Sequence, residues 1–493
     1  MSKQGTADSA GQSGQGSKQK RIQIATAWIA LLTLALGLRI GLALRFPSIN
    51  HPDEIFQTLE PAHRLAYGYG VSSWEWREGI RSWVFPTFLA GAMRATGWMG
   101  GGSAGYLAGI VVVLSLASLS TVWFGFAWAR RIRGNEAAAI AAGACALHFA
   151  LIYFAPKALT EVAATNVLLP GLYLGAFAGQ KNELKRLFAA GILCGLAASL
   201  RIQLIPPVVF AAAYFCYPNW RRRLPVVAAG LAIPVLAFGL VDKLTWSYPW
   251  QSFLLNFQVN VFQGRSQLYG VEPWYWYLPV LFVLLGPTLP FIAQGARRTP
   301  FLAAVAAIVV GSHSLLAHKD PRFMIPVVPL VLVLGAIGFV ETAASSKPGG
   351  TLLGFSKKRV AAGVLFFAVA QAYGVLMFAG WWKTPGTLLA IDRLSREPGL
   401  CGVGTYVAEW TAFSGYSHLH QNVPVIAIGN GDDFARQVPT FNVLVAADGA
   451  AAMRAGFAKG ECWNGICIYR RPGACKAPQA EDTMDGYLQK TGQ

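Results

Sequence analysis

Two adjacent carboxylates, Asp53 and Glu54, directly follow the first long apolar segment of the chain. They belong to a stretch from His51 to Pro86 that also contains further carboxylates, two histidines and three arginines. This density is unusual in a chain of which only 13 % of the residues are charged. Because a carboxylate can take the proton from an attacking hydroxyl, the stretch predicts acid–base chemistry, with Asp53 as the general base.

Asp53 has two other interpretations. An aspartate at the start of a helix often caps it by accepting hydrogen bonds from the first N–H groups. Alternatively, Asp53 could bind a metal ion together with His51, Glu60 and His63, because these residue types are common ligands. Nothing in their spacing forces the four side chains to converge, and both alternatives stay open at this point.

Aromatic residues beside polar side chains form a second group of candidates. Trp74 and Trp76 bracket Glu75, and two tryptophans around a carboxylate could form a platform for a sugar ring. Tryptophans at the end of an apolar segment more often anchor a membrane interface, which is the simpler explanation. The loop 242–275 also combines aromatic with amide side chains, and its candidate binding residues are Asn256, Tyr269 and Trp274. The first stretch adds Gln57 and Arg81 as candidates.

Cations form a third group. Lys319 and Arg322 lie between two apolar segments and could bind a phosphate, since arginine can bond two of its oxygens. Lipid head groups would suit the same two cations. Arg201 falls at a polar break inside an apolar region, and it could join them because a buried guanidinium normally has a partner.

The chain that must position these residues has the composition of a membrane protein. Of its 493 residues, 54 % are hydrophobic and 13 % are charged, whereas soluble domains average about 25 % charged residues. The net charge of +18 comes from short basic clusters between apolar segments, which are typical of cytoplasmic loops. The clusters therefore argue for membrane lipids, and against nucleic acid, as partners.

Apolar segments long enough to cross a bilayer predict an all-α polytopic membrane protein with about 11 transmembrane helices, in a range of about 10 to 13. The segments are 22–46, 104–128, 137–155, 160–179, two short helices within 187–217, and then 224–241, 276–292, 300–317, 323–341 and 360–380. The basic clusters place the N-terminus inside and the C-terminus outside. All the unusual polar sequence then lies in the outer loops, where the chemistry is expected; these loops are 47–103, 156–160, 242–275 and 317–322.

Changes in amino-acid composition and in the pattern of apolar residues divide the chain into three parts. Residues 1–20 are polar and predict a disordered cytoplasmic tail, and residues 21–381 form the transmembrane catalytic domain. The first outer loop of that domain, 47–103, has apolar residues at helical spacing and predicts amphipathic helices. Residues 382–493 alternate short β-like runs with helix-like pieces and predict a small extracytoplasmic α/β domain.

Four of the seven cysteines fall in this last part: Cys401, Cys462, Cys467 and Cys475. On the oxidising side of a membrane they predict up to two disulfides, with the pairing open. A zinc site is the alternative, although no paired CxxC supports it. The other cysteines lie in apolar segments and predict small buried side chains.

Taken together, these motifs resemble glycosyltransferase family 22, the GT-C-fold α-mannosyltransferases that build N-glycan precursors and GPI anchors. Within that family the chain is most similar to the GPI branch. The resemblance covers most of residues 25–340. It rests on the following residues, in matching order: His51-Pro-Asp-Glu54, Phe56-Gln57, Glu60, His63, Trp74-Glu-Trp76, Arg81-Ser82, Pro86, Asn256-Phe257, Tyr269-Gly270, Pro273-Trp274, Trp276-Tyr277, His318-Lys319 and Arg322-Phe323.

The resemblance implies an inverting transfer of mannose from a polyprenyl-phosphate-linked sugar donor to a lipid-linked glycan or glycolipid acceptor. It implies Asp53 as the general base with Glu54 assisting, and it implies no metal and no other cofactor. The residues expected at the donor phosphate are Lys319, Arg322, His318 and Arg201. The residues expected at the rest of the substrates are His51, Gln57, Trp74, Trp76, Arg81, Asn256, Tyr269 and Trp274.

The chain departs from the family pattern in several places. The usual His-Pro-Trp-His-Trp-Tyr run reads Glu272-Pro-Trp-Tyr-Trp-Tyr277, the acidic-aromatic pair after His-Lys is Asp320-Pro321, and the usual Arg-Pro-Thr is Arg201-Ile202-Gln203. These differences concern the acceptor and the sugar, so a transferase of a different lipid-phosphate sugar is one alternative. A lipid-linked-sugar flippase is another, although the one-sided charge and the lack of internal sequence repeats argue against it.

The Ser/Gly-rich tail, the compact loops and the basic composition are typical of a bacterial protein. We therefore expect a multi-pass protein of the bacterial inner membrane with a periplasm-facing active site. In a eukaryotic cell the same topology would place the protein in the ER membrane and the active site in the lumen.

Overall fold

A computed structural model describes residues 5–179, 181–345, 357–406 and 415–492. Within these ranges the chain is mostly helical, with one small five-stranded sheet in its C-terminal part. A helical bundle followed by a small α/β domain is the architecture that the sequence predicts. The structure confirms the helical character and the small C-terminal sheet, whereas it does not confirm the number of membrane spans.

The bundle contains 17 α-helices in the described ranges. Their bounds are α1 Gly5–Arg45, α2 Glu60–Tyr67, α3 Trp74–Arg77, α4 Val84–Thr96, α5 Ala104–Arg133, α6 Asn135–Leu147, α7 Phe149–Phe154, α8 Thr160–Ala176, α9 Glu183–Leu200, α10 Ile205–Cys216, α11 Trp220–Thr245, α12 Gln251–Phe257, α13 Tyr277–Leu285, α14 Leu289–Arg298, α15 Pro300–Ser314, α16 Val327–Ser345 and α17 Lys357–Met377. The first of them begins inside residues 1–20, where the composition predicts a disordered tail.

Four helices in the described residues are long and apolar enough to cross a membrane: Ala25–Arg45, Ala104–Arg133, Trp220–Thr245 and Val327–Ala344. A fifth span results if α13 and α14 are counted as one, although they are bent by 92° at their junction. Other apolar segments fold as shorter helices, because breaks interrupt them; α6, for example, ends at His148, whose backbone is extended. The predicted count of about 11 transmembrane helices is therefore not confirmed.

Small residues allow the helices of the bundle to pack closely. A Cβ added to Gly191 of α9 would lie 2.6 Å from the carbonyl oxygen of Val227 in α11. One added to Gly338 of α16 would lie even closer, 1.9 Å, to the carbonyl oxygen of Phe291 in α14. Because apolar side chains gain nothing over lipid by contacting one another, such close backbone packing is a main source of stability between membrane helices.

The C-terminal part folds into a sheet of strand order β2-β1-β3-β5-β4. Strands β2, β1 and β3 are parallel, and β5 runs antiparallel to β3 and to β4. The strands are β1 Val403–Tyr406, β2 Val425–Ile428, β3 Val443–Ala446, β4 Ala458–Trp463 and β5 Ile466–Arg470. The helices are α18 Gly386–Leu394, α19 Tyr416–Leu419, α20 Gly431–Gln437, α21 Ala450–Arg454 and α22 Met484–Thr491.

The four cysteines of this domain form two disulfides, Cys401–Cys475 and Cys462–Cys467. The second disulfide joins opposite residues of the β4–β5 hairpin. Since all four thiols are used in this way, the zinc alternative for these cysteines is wrong.

One face of the sheet packs against the first outer loop of the bundle. Ile55, Phe56 and Val71 belong to the same buried cluster as Leu394 and Leu488 of the C-terminal domain. Three hydrogen bonds reinforce this contact: Ser72 N to Asp485 Oδ1 (2.9 Å), Arg77 Nη2 to the Leu488 carbonyl (2.9 Å) and Ser103 Oγ to Asp392 Oδ1 (3.1 Å). The domain is therefore docked on the segment that carries the predicted general base.

Candidate active site

Asp53 lies at the start of a helical stretch that is wider than an α-helix. The helix begins at Pro52, whose fixed φ suits the first helical position, and Glu54–Leu59 then form one π-helical turn that continues into α2. Such turns are rare and occur often at functional sites. The Asp53 side chain makes no cap hydrogen bond to this helix. The capping interpretation of Asp53 is therefore wrong, and its carboxylate contacts residues elsewhere.

The Asp53 carboxylate is held between a guanidinium and an imidazole. Its Oδ2 accepts a hydrogen bond of 2.6 Å from Arg322 Nη2, and its Oδ1 lies 3.2 Å from His51 Nδ1. Burial opposes ionisation, but the charge of Arg322 and the hydrogen bond to His51 outweigh it and hold the pKa of Asp53 well below its usual range. The side chain keeps 26 % of its surface exposed, so a substrate hydroxyl can reach it.

Arg322 belongs to the short 3₁₀ turn Pro321–Met324 and is only 3 % exposed. Asp320 fixes this turn by accepting a hydrogen bond of 2.9 Å from the Arg322 backbone N–H. The Arg322 Nε and Nη1 groups are buried and make no hydrogen bond to the described residues. The Nε nevertheless lies 3.4 Å from Asp320 Oδ2 and 3.7 Å from Glu161 Oε1, within ion-pair distance. A buried donor without an acceptor is costly, so Nη1 is the group suited to an anionic ligand.

Glu161, which the sequence analysis did not select, joins the two arginines predicted for the donor phosphate. It lies in the first turn of α8, and its Oε1 is 3.0 Å from Arg201 Nη2 and 3.7 Å from Arg322 Nε. Arg201 lies at the break between α9 and α10, stacks on Phe323 at 4.8 Å, and also has an unbonded Nε. Glu161 could have been found in the sequence as a carboxylate at the start of an apolar segment, because a carboxylate in such a place requires a cationic partner.

Arg81 and Glu75 form a second buried ion pair close to Asp53. Arg81 Nη2 donates to Glu75 Oε1, and Gln57 Nε2 donates to the same oxygen at 3.3 Å. Burial raises the pKa of Glu75 even though Arg81 opposes the shift. Trp76 completes this group by donating from Nε1 to the Phe56 carbonyl at 3.0 Å. Gln57, Trp76 and Arg81 thus build the wall of the site.

The other aromatic candidates are arranged differently from the predicted sugar platform. Trp74 is buried, its Nε1 lies 3.3 Å from the Tyr269 hydroxyl, and Arg265 covers its ring at 3.5 Å. Trp274 is 70 % exposed. Neither Trp274 nor Asn256 makes a hydrogen bond to the ionised cluster within the described ranges. The structure therefore brings Trp74 and Tyr269 together but leaves Asn256 and Trp274 apart.

Lys319 and His318 contact backbone rather than the other phosphate candidates. Lys319 Nζ donates to the Glu272 carbonyl at 2.9 Å and to the Leu316 carbonyl. His318 Nδ1 lies 3.2 Å from the Gly270 carbonyl. These bonds fix the end of the outer loop 242–275 against the turn that carries Arg322. Of the four predicted phosphate ligands, Arg201 and Arg322 alone share a carboxylate partner, Glu161, in the described structure.

Glu54 faces away from this cluster. Its Oε2 accepts a hydrogen bond of 3.1 Å from the Asn50 N–H and lies 3.6 Å from Lys157 Nζ. Lys157 also donates to the carbonyl and to the hydroxyl of Ser48. Burial lowers the pKa of Lys157, although Glu54 opposes the shift. Lys157 lies in a two-residue turn between apolar segments, and it was missed because a lone lysine at such a turn usually faces lipid head groups.

The metal interpretation places Glu60 and His63 beside Asp53, but both contact the C-terminal domain instead. Glu60 accepts hydrogen bonds from the N–H groups of Val71, Tyr416 and Ser417 at 2.9, 3.1 and 2.9 Å. His63 Nε2 lies 3.0 Å from His420 Nδ1. Burial raises the pKa of Glu60 to about 7 and lowers that of His63 to about 3. The described residues contain no group of three or more potential metal ligands.

The arrangement has the elements of a transfer from a phosphate to a hydroxyl. An ionised, partly exposed carboxylate can accept the hydroxyl proton. Next to it, buried guanidinium N–H groups without acceptors can bind the oxygens of a phosphate and stabilise the charge that develops on it.

Comparison with known proteins gives the same indication. Residues 28–396 match the Alg9-like mannosyltransferase family. GPI mannosyltransferase 3 of Yarrowia lipolytica is 26 % identical over 407 residues, which are 80 % of this chain and 76 % of that protein. GPI alpha-1,2-mannosyltransferase 3 of Mus musculus is 26 % identical over 319 residues, which are 62 % of this chain and 57 % of that protein.

A solved structure shares the fold. The crystal structure of ArnT from Cupriavidus metallidurans bound to undecaprenyl phosphate superposes with a TM-score of 0.61 at 14 % identity, covering 92 % of this chain and 100 % of that chain. This likeness supports the predicted GT-C-type fold. The family match extends over most of the chain and confirms the predicted mannosyltransferase class. The chain belongs to the Alg9-like mannosyltransferase family.

Proposed function

We propose that the protein moves mannose from a polyprenyl-phosphate-linked donor to a hydroxyl of a lipid-linked glycan or glycolipid, with inversion at the sugar carbon. The observation that carries this proposal is the contact between Asp53 and Arg322. It places an ionised base directly beside a buried cation whose Nη1 group has no hydrogen-bond partner among the described residues.

The proposed reaction is one displacement. The acceptor hydroxyl loses its proton to Asp53 as its oxygen bonds to the sugar carbon, and the bond from that carbon to the phosphate oxygen breaks. Arg322 and Arg201 bind the departing polyprenyl phosphate, whose negative charge increases during this step. Glu161 holds the two guanidinium groups in place, since both lie within ion-pair distance of its Oε1.

The substrates are proposed from the relatives and from the chemistry of the site. Two relatives are named for mannose transfer to GPI, which supports mannose as the sugar and a glycolipid as the acceptor. The ArnT structure contains undecaprenyl phosphate, which supports a lipid phosphate as the leaving group. The unbonded guanidinium donors beside Asp53 are chemically suited to that group.

The orientation is proposed from the charges. The basic clusters are typical of loops on the cytoplasmic side. The first outer loop and the turn at Arg322 then face the opposite side, which would be the periplasm in a bacterial inner membrane or the lumen in the ER.

The proposal is tested with purified full-length protein in lipid nanodiscs. We would add polyprenyl-phosphate-linked [³H]mannose and a membrane lipid extract, and we expect labelled glycolipid from the wild-type chain and none from the Asp53→Asn variant. Transfer from another lipid-phosphate sugar, but not from the mannose donor, would show that the transferred sugar is not mannose. Movement of the intact donor across the bilayer without any labelled product would favour the flippase alternative and overturn the proposal.

A further inference from the structure

A cavity of about 240 Å³ lies beside Glu54, and neither Asp53 nor Arg322 lines it. It is bounded by the end of α1, by the first turns of α5, by residues 152–158 and by the start of α18. We call it the Glu54 cavity. Because Glu54 and Asp53 are neighbours in the chain, the cavity is separated from the ionised cluster only by the first residues of the helical stretch.

The walls of the Glu54 cavity are apolar. Leu42, Leu107, Ile110 and Ile152 are among its lining residues. At its rim, Leu44 is 52 % exposed, so the cavity is next to the outer surface of the bundle, where a span meets hydrocarbon. Its volume exceeds the roughly 150 Å³ of an apolar protein cavity that accommodates benzene. A segment of a hydrocarbon chain therefore fits its size and its lining.

The inner end of the cavity is polar but offers no free cation. The three protons of the Lys157 ammonium have three acceptors: the Ser48 carbonyl, the Ser48 hydroxyl and the Glu54 carboxylate. One other lining group, Trp382 Nε1, is buried without a hydrogen-bond partner in the described residues, and the Tyr153 hydroxyl lies beside the side chains of Ser48 and Asn50. Tyr153 itself is only 2 % exposed. Such groups suit neutral hydroxyls, which can both donate and accept hydrogen bonds.

The two sides of the Asp53–Glu54 pair are therefore chemically different. On the Arg322 side, guanidinium N–H groups are without acceptors and suit a phosphate. On the Glu54 side, the Lys157 ammonium is fully bonded, and a carboxylate, a tyrosine hydroxyl and an indole N–H without a partner among the described residues lie next to the apolar cavity. A phosphate would be repelled there by Glu54 and Asp392, whereas a sugar attached to an alkyl chain matches both the polar and the apolar part.

We propose that the Glu54 cavity binds the hydrocarbon chain of the acceptor, which is a short glycolipid whose accepting sugar lies close to its lipid. The donor phosphate binds on the Arg322 side and the acceptor sugar reaches Asp53 from the Glu54 side. This inference rests on the proposed function, which supplies the transfer and the lipid donor. It adds the acceptor's class and the side from which the acceptor enters.

The first test measures binding without activity. The probe is octyl α-D-mannoside with a diazirine at the end of its chain, presented to the full-length protein in nanodiscs and activated by light. We expect labelled peptides from residues 104–111 and 152–158. Ala108→Phe places a phenyl ring in the cavity. We expect this variant to reduce the labelling by about tenfold, because forcing the alkyl chain of the probe into space that the ring already fills is costly. Ala117→Phe, on the exposed face of the same helix, should leave it unchanged.

The second test measures transfer to the same mannoside. Ala108→Phe should raise the KM for the mannoside by about tenfold and leave the KM for the polyprenyl-phosphate donor unchanged. A raised donor KM with an unchanged mannoside KM would overturn the inference and assign the cavity to the donor's chain. If Ala108→Phe lowers the thermal midpoint of unfolding, Ala108→Val is used instead, because its smaller side chain occupies less of the same space. We expect this variant also to raise the KM for the mannoside and to leave the KM for the donor unchanged.

The two tests separate failure of the inference from failure of the proposed function. Transfer without labelling of residues 104–111 or 152–158 would overturn the inference and leave the enzyme assignment intact. Labelling that Ala108→Phe abolishes, without any transfer from the lipid-linked mannose, would support a glycolipid site and overturn the proposed function.

Discussion

Asp53 and Glu60 are carboxylates on one continuous helical stretch, yet their surroundings are opposite. Asp53 contacts a guanidinium whose Nη1 group has no hydrogen-bond partner in the described part of the chain, and it is partly exposed. Glu60 is fully buried, has no cation of the described residues within ion-pair distance, and accepts three hydrogen bonds from backbone N–H groups. The pKa of Asp53 is held low by Arg322 and His51 against burial, whereas burial raises that of Glu60 to about 7.

The difference teaches how to separate a reacting carboxylate from a structural one. Both residues belong to the motif that carries the family resemblance, and both are buried to a large extent, so neither motif nor burial distinguishes them. The distinguishing feature is the state of the neighbouring polar groups. Around Glu60 the carboxylate oxygens have partners within the protein, whereas around Asp53 several donors are left for a ligand.

The largest effect is expected at Asp53. We expect Asp53→Asn to reduce the rate of transfer by about a thousandfold or more, because an amide cannot take the proton of the acceptor hydroxyl. The rate is measured with radiolabelled donor in nanodiscs, and circular dichroism serves as the control for folding. A rate within tenfold of wild type would mean that Asp53 is not the base. In that case the different surroundings of Asp53 and Glu60 would not distinguish a reacting carboxylate from a structural one.

Arg322→Lys keeps the positive charge but removes the planar fork of donors. We expect the KM for the lipid-phosphate donor to rise by about tenfold or more, since hydrogen bonds to charged groups are lost, and the KM for the acceptor to change little. Initial rates at varied concentrations of each substrate check this. An equal rise in both constants would show that Arg322 supports the site as a whole rather than the donor phosphate.

Arg322→Gln removes the charge that holds the pKa of Asp53 low. Burial then dominates, so the pKa of Asp53 rises and the base is lost at a higher pH than in wild type. We expect the acidic limb of the pH profile of kcat/KM to shift to higher pH, and activity near pH 5 to fall more than activity near pH 8. An unshifted limb would assign the profile to another group.

Glu60→Gln tests the structural carboxylate. We expect the free energy of unfolding to fall by about 1 to 3 kcal/mol, because the amide leaves one buried N–H without an acceptor. The pKa of Glu60 rises on folding from 4.5 to about 7, so its contribution to stability is fully present below pH 4.5 and is lost as the pH rises through about 7. The difference in thermal midpoint between the two proteins should therefore be larger at pH 5 than at pH 8.

His420→Phe should have the smallest effect. It removes the 3.0 Å contact to His63 Nε2 but keeps an aromatic ring at the junction of the two domains. We expect a loss of about 1 kcal/mol in the free energy of unfolding, as for one neutral hydrogen bond, and transfer within about twofold of wild type. A large loss of transfer with unchanged stability would show that the contact between His63 and His420 takes part in the reaction. The junction would then not be purely structural, in contrast to what we infer from the comparison with Asp53.

Much of the architecture follows from the sequence. The alternation of short valine- and isoleucine-rich runs with turn residues predicted the C-terminal sheet, and its α/β character is confirmed. The motifs from His51 to Arg322 predicted the mannosyltransferase family, and that prediction is confirmed. The roles of Asp53, Arg201 and Arg322 stay predictions, and the geometry brings these three residues to one place.

Other features could not be derived from one sequence. Glu161 and Lys157 are single charges in otherwise apolar surroundings, and only the packing of distant helices shows that Glu161 joins two arginines and that Lys157 binds Glu54. The predicted number of spans is not confirmed by the described helices, because hydropathy does not show where a segment breaks or bends, as α13 and α14 do. Lys319 has the right type and place for a phosphate ligand, but its donors are bonded to nearby carbonyls.

The docking of the C-terminal domain on the first outer loop has a consequence for how the protein is made. Ser72 is bonded to Asp485, 413 residues further along the chain, and Ile55 shares a buried cluster with Met484 and Leu488. During synthesis, the helical stretch that carries Asp53 is therefore made long before its packing partners. The stretch that carries the predicted base can therefore reach its final packing only after the C-terminal domain has been synthesised and folded, so a domain that is made late completes the surroundings of Asp53.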